Sequence, residues 1–551
     1  IMANFNSVPT IHAPRSKFDL SHSVKTSANV GTLYPVYVQE IYPGDTFNCK
    51  TAFVSRLTSS YLRPVMDNLF MDIMYFFVPA RLVYEDFTSI FGENKKSAWA
   101  QNEPVFAPIC ETENGVVNIA SKTVCDYLGL PVGENITDGF NIIPVRSFAK
   151  IYDDWFRDEN IIDPMLIHTG EFNAEVEMPN DDEWSPSNYF GKLPKVAKFH
   201  DVFTSALPST QKSAEPIEIP LSGIVGVKTG SEFTAIPNGF SIKTSAGAGT
   251  GPYILQTGGI ATGGYRGVGL SSTSGSPSAS ITEWNLNVDL ADAGLISVPD
   301  MRIAFQMQRI LERSARAGTR YTEYLLSAFG VVSPDARLQR SEYLGGKRVP
   351  LSQQQVAQTT RGEGDEALGS LGAFSLSNGV CGYNKGFVEH GFVIGVMCIR
   401  QHHTYQQGIE KFWQRNSRFD YYDPILANIS EQPVYTSELW ARNYETNHDD
   451  LKGSIFGYQE AWYDLRYRPS YITGDMRTTS PTSLDIWHFG DFYETQPYLT
   501  PDFINETPIY VDRTIAVPST SIDQFIIDMY HEQSAIRRLP TYSIPGLIDH
   551  H

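Results

Sequence analysis

The chain is short of most things that would mark a secreted, membrane-embedded or cross-linked protein. Its 551 residues include five cysteines, Cys49, Cys110, Cys125, Cys381 and Cys398. Their odd number and the absence of a CxxC pair argue against a disulfide framework or a zinc site, and suit assembly in a reducing cytoplasm. No apolar run approaches the roughly 18 residues that span a bilayer. No charged-then-apolar leader opens the sequence, so neither a membrane span nor a secretory leader is expected. Positive charge is scarce as well: 43 Lys and Arg stand against 62 Asp and Glu, a net charge of -19. That balance excludes a protein that binds nucleic acid over its whole surface, while a local basic face remains compatible with it.

Catalytic and cofactor motifs are equally sparse. Gly345-Gly346-Lys347 runs into Arg348 and lacks the upstream glycine of a phosphate-binding loop, and neither GxSxG nor HExxH occurs. Gly362-Glu363-Gly364-Asp365-Glu366-Ala367 fits a relaxed dinucleotide fingerprint. However, Gln358-Thr359-Thr360-Arg361 before it does not read as a buried strand, and two acids would face a pyrophosphate. His402 and His403 are adjacent, so on a strand they point to opposite faces rather than to one metal. Asp153-Asp154 and Asp181-Asp182-Glu183 lack the glycine and spacing of a calcium loop. No enzyme, cofactor or metal is expected.

What the chain does have is apolar and aromatic content, 41% and 12%, ample for a core. The pattern is mainly β. Val36, Val38 and Ile41 precede a turn at Pro43-Gly44-Asp45, and Phe47 to Val54 reads as the next strand. Leu69 to Val78 is almost continuously apolar and stops at Pro79, which fits a strand buried on both faces or a core helix. Phe392 to Ile399 and Phe525 to Tyr530 are further strands. Strong strands at both ends of the chain, with loop-rich sequence between, point to one large β domain over residues 31–551 rather than a string of domains.

Within it, Ser222 to Ser280 is roughly a quarter glycine, against an average near 7%. Ile217, Ile219 and Leu221 alternate with polar residues on one side of this stretch. Trp284, Leu286, Val288 and Leu290 do so on the other. Two half-buried strands on these flanks predict a stem, making residues 213–290 a surface insertion.

Three basic features stand out. Residues 1–30 form an arm with Arg15, Lys17 and Lys25 against one acid, Asp19, either a frayed terminus or an arm laid on a polyanion. A helix over Asp300–Ala317 carries Arg302, Arg309, Arg313, Arg316 and, if it continues through Gly318, Arg320. These five fall within about 60° of arc. The stripe is a solvated face, an ion-pair network within or between subunits, or a phosphate contact, since the guanidinium fork binds carboxylate and phosphate alike. Finally, Lys411-Phe412-Trp413-Gln414-Arg415, Arg418-Phe419 and Tyr421-Tyr422 precede Trp462-Tyr463, Arg466-Tyr467-Arg468, Tyr471 and Arg477. Interleaved rings and cations suit either a platform for single-stranded nucleic acid, with Arg466 and Arg468 meeting phosphates, or a subunit interface.

Several longer stretches carry a resemblance. They are Leu311 to Tyr321 (LERSARAGTRY), Ser333 to Arg340 (SPDARLQR) followed by Glu342 to Gly346, and Glu389-His390-Gly391 with Ile394-Gly395. Tyr405 to Gly408, Phe456 to Glu460, Pro545 to His550, Phe18 to Ser21 and the Pro43 turn belong with them. Together they resemble the major capsid proteins of gokushoviruses, in the Microviridae. The likeness spans nearly the whole chain. It is weakest over Ser213 to Ser280, and the C-terminal His551 stands where an aromatic is expected.

The resemblance implies an eight-stranded antiparallel jelly roll of viral capsid type, with long inter-strand loops. It implies the smallest icosahedral shell, made of this one protein around circular single-stranded DNA and assembled in the host bacterial cytoplasm. The insertion would form protrusions at the three-fold axes that attach to a host surface receptor. Ile217, Ile219, Trp284 and Leu286 would lie in the stem. Further implied partners are other copies of the chain, a small basic internal DNA-binding protein and a minor DNA-pilot protein. Two other readings compete: a carbohydrate-binding phage β protein such as a fibre or lectin, and a cytoplasmic single-strand-binding protein, which the net charge disfavours.

Overall fold

The computed structural model describes residues 14–93, 105–111, 116–212, 298–359, 368–441 and 454–542, with short strands between residues 227 and 288. The protein is mainly β, with antiparallel sheets and few helices. It divides into two compact units, Ile1–Lys212 with Glu312–His551, and Ser213–Leu311.

The larger unit is built on β1 (Ser16–Asp19), β2 (His22–Ala28), β3 (Tyr34–Ile41), β4 (Thr46–Leu57), β5 (Leu69–Pro79), β6 (Glu342–Leu351), β7 (Gln353–Ala357), β8 (Leu371–Gly386), β9 (Gly391–Gln401) and β10 (Phe525–Arg537). A six-stranded sheet runs β1-β10-β4-β8-β7, with β2 also on β10, and a four-stranded sheet runs β6-β5-β9-β3. β4 shows why the first sheet has two unlike faces. Phe47, Cys49, Thr51, Phe53, Ser55 and Leu57 point inward, while Asn48, Lys50, Ala52, Val54 and Arg56 point out. β10 repeats the alternation, and its partnership with β4 joins the two ends of the chain. The inward side chains of both sheets share one core, in which Phe47, Phe53, Phe525 and Met529 meet Tyr75, Phe77, Met397 and Ile399. The arrangement is that of a β-sandwich.

β5 and β9 are buried on both faces, which explains their continuous apolar sequence. Their outer side chains Phe76, Val78, Ile394, Val396 and Cys398 pack under a second core. It is supplied by the loops after β5 and by α1 (Ile143–Ile151), which brings Ile143, Val145, Phe148 and Ile151. Arg146 of the same helix is fully buried. Its guanidinium donates to both Glu177 carboxylate oxygens, at 2.7 and 2.9 Å, and to the carbonyls of Val83, Gly170 and Glu171. A third cluster joins Phe203, Tyr405, Phe456, Tyr463 and Phe503 beside this layer.

Two expectations change in detail. The first concerns residues 16–28, which are two edge strands on β10 rather than a loose arm; Phe18, Leu20, Val24 and the fully buried Ala28 are the apolar residues that lean inward there, too unevenly spaced to show a period in the sequence. Secondly, the arginine helix, α2 (Val298–Ala317), ends where the helix expected over Asp300–Ala317 ends, so the conditional continuation that would add Arg320 to the stripe does not occur. Gly318 takes φ 89°, a left-handed conformation that stops the helix. Arg320 instead becomes the N-cap of α3 (Tyr321–Phe329).

In the unit Ser213–Leu311, Val227–Thr229 pairs antiparallel with Leu286–Val288, placing Leu286 opposite Thr229. Ile217, Ile219 and Trp284 lie outside the described residues.

Candidate nucleic-acid and subunit interfaces

The strand positions of the basic arm put its cations on the six-stranded sheet. Arg15 Nη2 donates to the Gly44 carbonyl at 2.7 Å. Lys17 lines a shallow cleft of about 410 Å³ with Asp19, Lys50 and Glu532. Lys25 lies 3.4 Å from Asp528, and both side chains are exposed, so water screens the pair and its energy is small. This sheet face also exposes Val54, Ile526 and Tyr530.

The arginine stripe divides. Arg302 and Arg309 are exposed on α2, and Arg313 lies 5.9 Å over the Tyr324 ring. Arg316 pairs with Glu431, whose side chain is only 1% exposed. Burial raises the Glu431 carboxyl and the Arg316 guanidinium opposes that rise. Arg320 Nη2 donates to the carbonyls of Asp153 and Arg157, at 2.9 and 3.1 Å, with Glu159 and Glu323 nearby. Arg316 and Arg320 therefore bind segments of their own subunit together.

The aromatic and basic residues also separate into two sets. Trp462 and Tyr463 turn inward, the indole Nε1 of Trp462 donating to the Leu426 carbonyl at 2.8 Å. Arg477 donates to the Gln406 carbonyl at 2.6 Å, a structural bond. Trp413, Phe419, Tyr421, Tyr467 and Tyr471 are exposed. Arg466 and Arg468 border a cleft of about 670 Å³ with Phe199, His402 and Tyr467. Neither is a bare cation: Arg466 pairs with Glu460, and Arg468 grips Glu410 through two bonds of 2.9 Å. A phosphate at either position has to displace a carboxylate.

One group was not legible in the sequence. Beyond β9, His403 is buried between two carboxylates, Nδ1 2.7 Å from Asp491 and Nε2 3.0 Å from Glu506. Lys198 approaches Asp491 at 3.2 Å, and the Tyr493 hydroxyl donates to it at 2.7 Å. Burial alone would lower the imidazole, but the two carboxylates outweigh it and hold His403 at about 9, against 6.5 when free. Burial would raise Asp491, and Lys198 with protonated His403 more than reverses that. His402 points away and packs on Phe70 and Phe199. The buried cluster ties His403, just beyond β9, to the loops of Asp491 and Glu506, 88 and 103 residues away, and ties Asp491 in turn to Lys198 across a separation of 293.

A raised imidazole stabilises the fold fully below the free value and loses that contribution as pH climbs through the folded value. Thermal stability should accordingly fall as pH rises from about 6.5 to about 9, and His403→Gln should melt lower at pH 7 and lose most of that slope. Equal slopes in the two proteins would contradict the assignment.

Among the described residues, no cluster of three or more His, Cys, Asp or Glu is arranged to hold a metal, and no helix is long and apolar enough to cross a membrane. The site chemistry is that of surfaces and ion pairs.

Comparison with known proteins agrees. The family model described as capsid protein (F protein) matches residues 6–547. The chain is 36% identical over 561 residues to capsid protein VP1 of Spiroplasma virus 4, covering 97% of this chain and 96% of that protein. To capsid protein VP1 of Chlamydia phage 1 it is 34% identical over 594 residues, covering 99% and 98%. To that of Bdellovibrio phage phiMH2K it is 33% identical over 556 residues, covering 98% and 97%. The chain belongs to the phage capsid protein (F protein) family, and is a structural protein of the virion rather than an enzyme.

Proposed function

We propose that this capsid protein forms the smallest icosahedral shell around a circular single-stranded DNA genome, on an eight-stranded jelly roll. The observation that carries the fold reading is the strand order β6-β5-β9-β3. Strands distant in sequence alternate there, as Greek-key connections require, and the sheet faces a second one across a shared core. β1 and β2 extend that second sheet at its β10 edge, and the other eight strands make up the two facing sheets. The full-length likeness to capsid proteins leaves the fibre or lectin reading without support.

The insertion forms protrusions where three copies meet, and they attach the particle to a host surface receptor. Arg15, Lys17 and Lys25 face the interior and meet phosphate, with Arg466 and Arg468 as secondary contacts. Arg302, Arg309 and Arg313 lie at subunit contacts, while Arg316 and Arg320 support them from within. The small basic DNA-binding protein and the DNA-pilot protein join the shell in the host cytoplasm.

Replacing Arg15, Lys17 and Lys25 by Gln should lower genome retention. It should also flatten its salt dependence, by about 0.7 in the log–log slope for each lost phosphate contact on single-stranded DNA. Labelling of Lys17 and Lys25 by an amine reagent that cannot enter intact particles would place the arm outside and refute the reading.

A further inference from the structure

α3 leaves most of its large apolar side chains in solvent. Its sequence, Tyr-Thr-Glu-Tyr-Leu-Leu-Ser-Ala-Phe, is mostly apolar, yet none of its residues is buried. Thr322 and Glu323 face the body of the subunit, together with the half-buried Leu325 and Ala328, while Ser327 is exposed. Thr322 Oγ1 accepts from Arg340 Nη1 at 3.3 Å, and Arg340 in turn donates to the Asp154 carbonyl at 2.9 Å. The Glu323 carboxylate accepts from the backbone N–H of Arg320 at 3.2 Å. The helix then ends at Gly330, with φ 67°, and the turn presents Val331 and Val332 beside it. Exposure is 64% for Tyr321, 55% for Leu326, 65% for Phe329 and 82% for Val332. A surface helix normally turns its apolar stripe to its own core. A fixed helix that turns it outward marks a binding surface for another molecule.

We infer that this face, Tyr321, Leu326, Phe329, Val331 and Val332, packs against a second copy of the chain in the shell. The inference rests on the capsid reading and adds a contact to it. Charge favours this occupant. Each subunit carries a net -19, so copies repel across most of their surface, and they meet most cheaply where charge is absent. The outward face of α3 has none, because Glu323 is turned in. A nucleic acid would need cations at its centre, and a rim arginine over a tyrosine, Arg313 on Tyr324, is common at protein–protein contacts.

The test places a photo-reactive residue, Val332→p-benzoylphenylalanine, into particles made in cells, with irradiation before analysis. Covalent capsid–capsid dimers joined at this position are expected. Cross-links only within one chain, only to DNA, or none would overturn the inference. In parallel, Leu326→Asp with Phe329→Asp should give subunits with the wild-type circular dichroism spectrum and at least about tenfold fewer particles. Wild-type particle yield from that variant would also overturn it. If the unmodified protein makes no particles, the capsid-shell reading fails instead.

Discussion

Arg146→Met is expected to cost the subunit about 3–5 kcal/mol, because it strands the buried Glu177 carboxylate without its counter-charge. Both side chains are 0% exposed. Glu177 also accepts from the Tyr189 hydroxyl at 2.7 Å and from the Asn173 backbone at 2.9 Å, so the carboxylate is fixed in place and cannot swing to water. The loss is a large share of the roughly 5–15 kcal/mol that holds a typical domain folded. It should appear as low soluble yield and a strongly reduced midpoint in urea. The double variant Arg146→Met, Glu177→Met removes both charges and should recover part of the loss. If single and double variants unfold together, packing of the arginine stem, not the buried pair, sets the stability of the layer over the four-stranded sheet.

The second large effect is on attachment. Thr229 and Leu286 are register partners in an antiparallel ladder, so their chains run side by side. Removing residues 230–285 and joining the ends with Asn-Gly closes the ladder as a tight hairpin, the turn such a two-residue link favours. Shortening a loop stabilises by about 0.6 kcal/mol for each halving of its length. The deleted sequence belongs to the separate compact unit Ser213–Leu311, so the sandwich should melt as before. Particles should still form and should adsorb to host cells no better than to non-hosts. Normal adsorption would remove the attachment role from the insertion; failure to fold would show that the sandwich depends on it.

The sandwich was largely legible because its strands keep strict periods. Phe47 to Leu57 and Phe525 to Arg537 alternate inward and outward residues, and the sequence of β5 has no polar face because both sides are covered. Residues 16–28 were not legible as strands: an edge strand with one side in water needs few apolar residues. The surface sites were harder to read. Sequence cannot show that Trp462 turns inward while Tyr467 stays out, since a loop has no period. Nor can it show that Arg468 already holds Glu410, 58 residues away, or that His403 lies between acids contributed by distant loops. Such pairs depend on the fold being complete, whereas strand patterns are local.

The most direct measurement is electron microscopy of the purified, expressed chain, supported by sedimentation velocity. Closed icosahedral particles of one diameter, with three-fold surface projections, are the expected result. A sample containing only monomers, small rings or open fibres, under conditions that preserve virions, would contradict the assignment of this protein as a self-sufficient shell subunit.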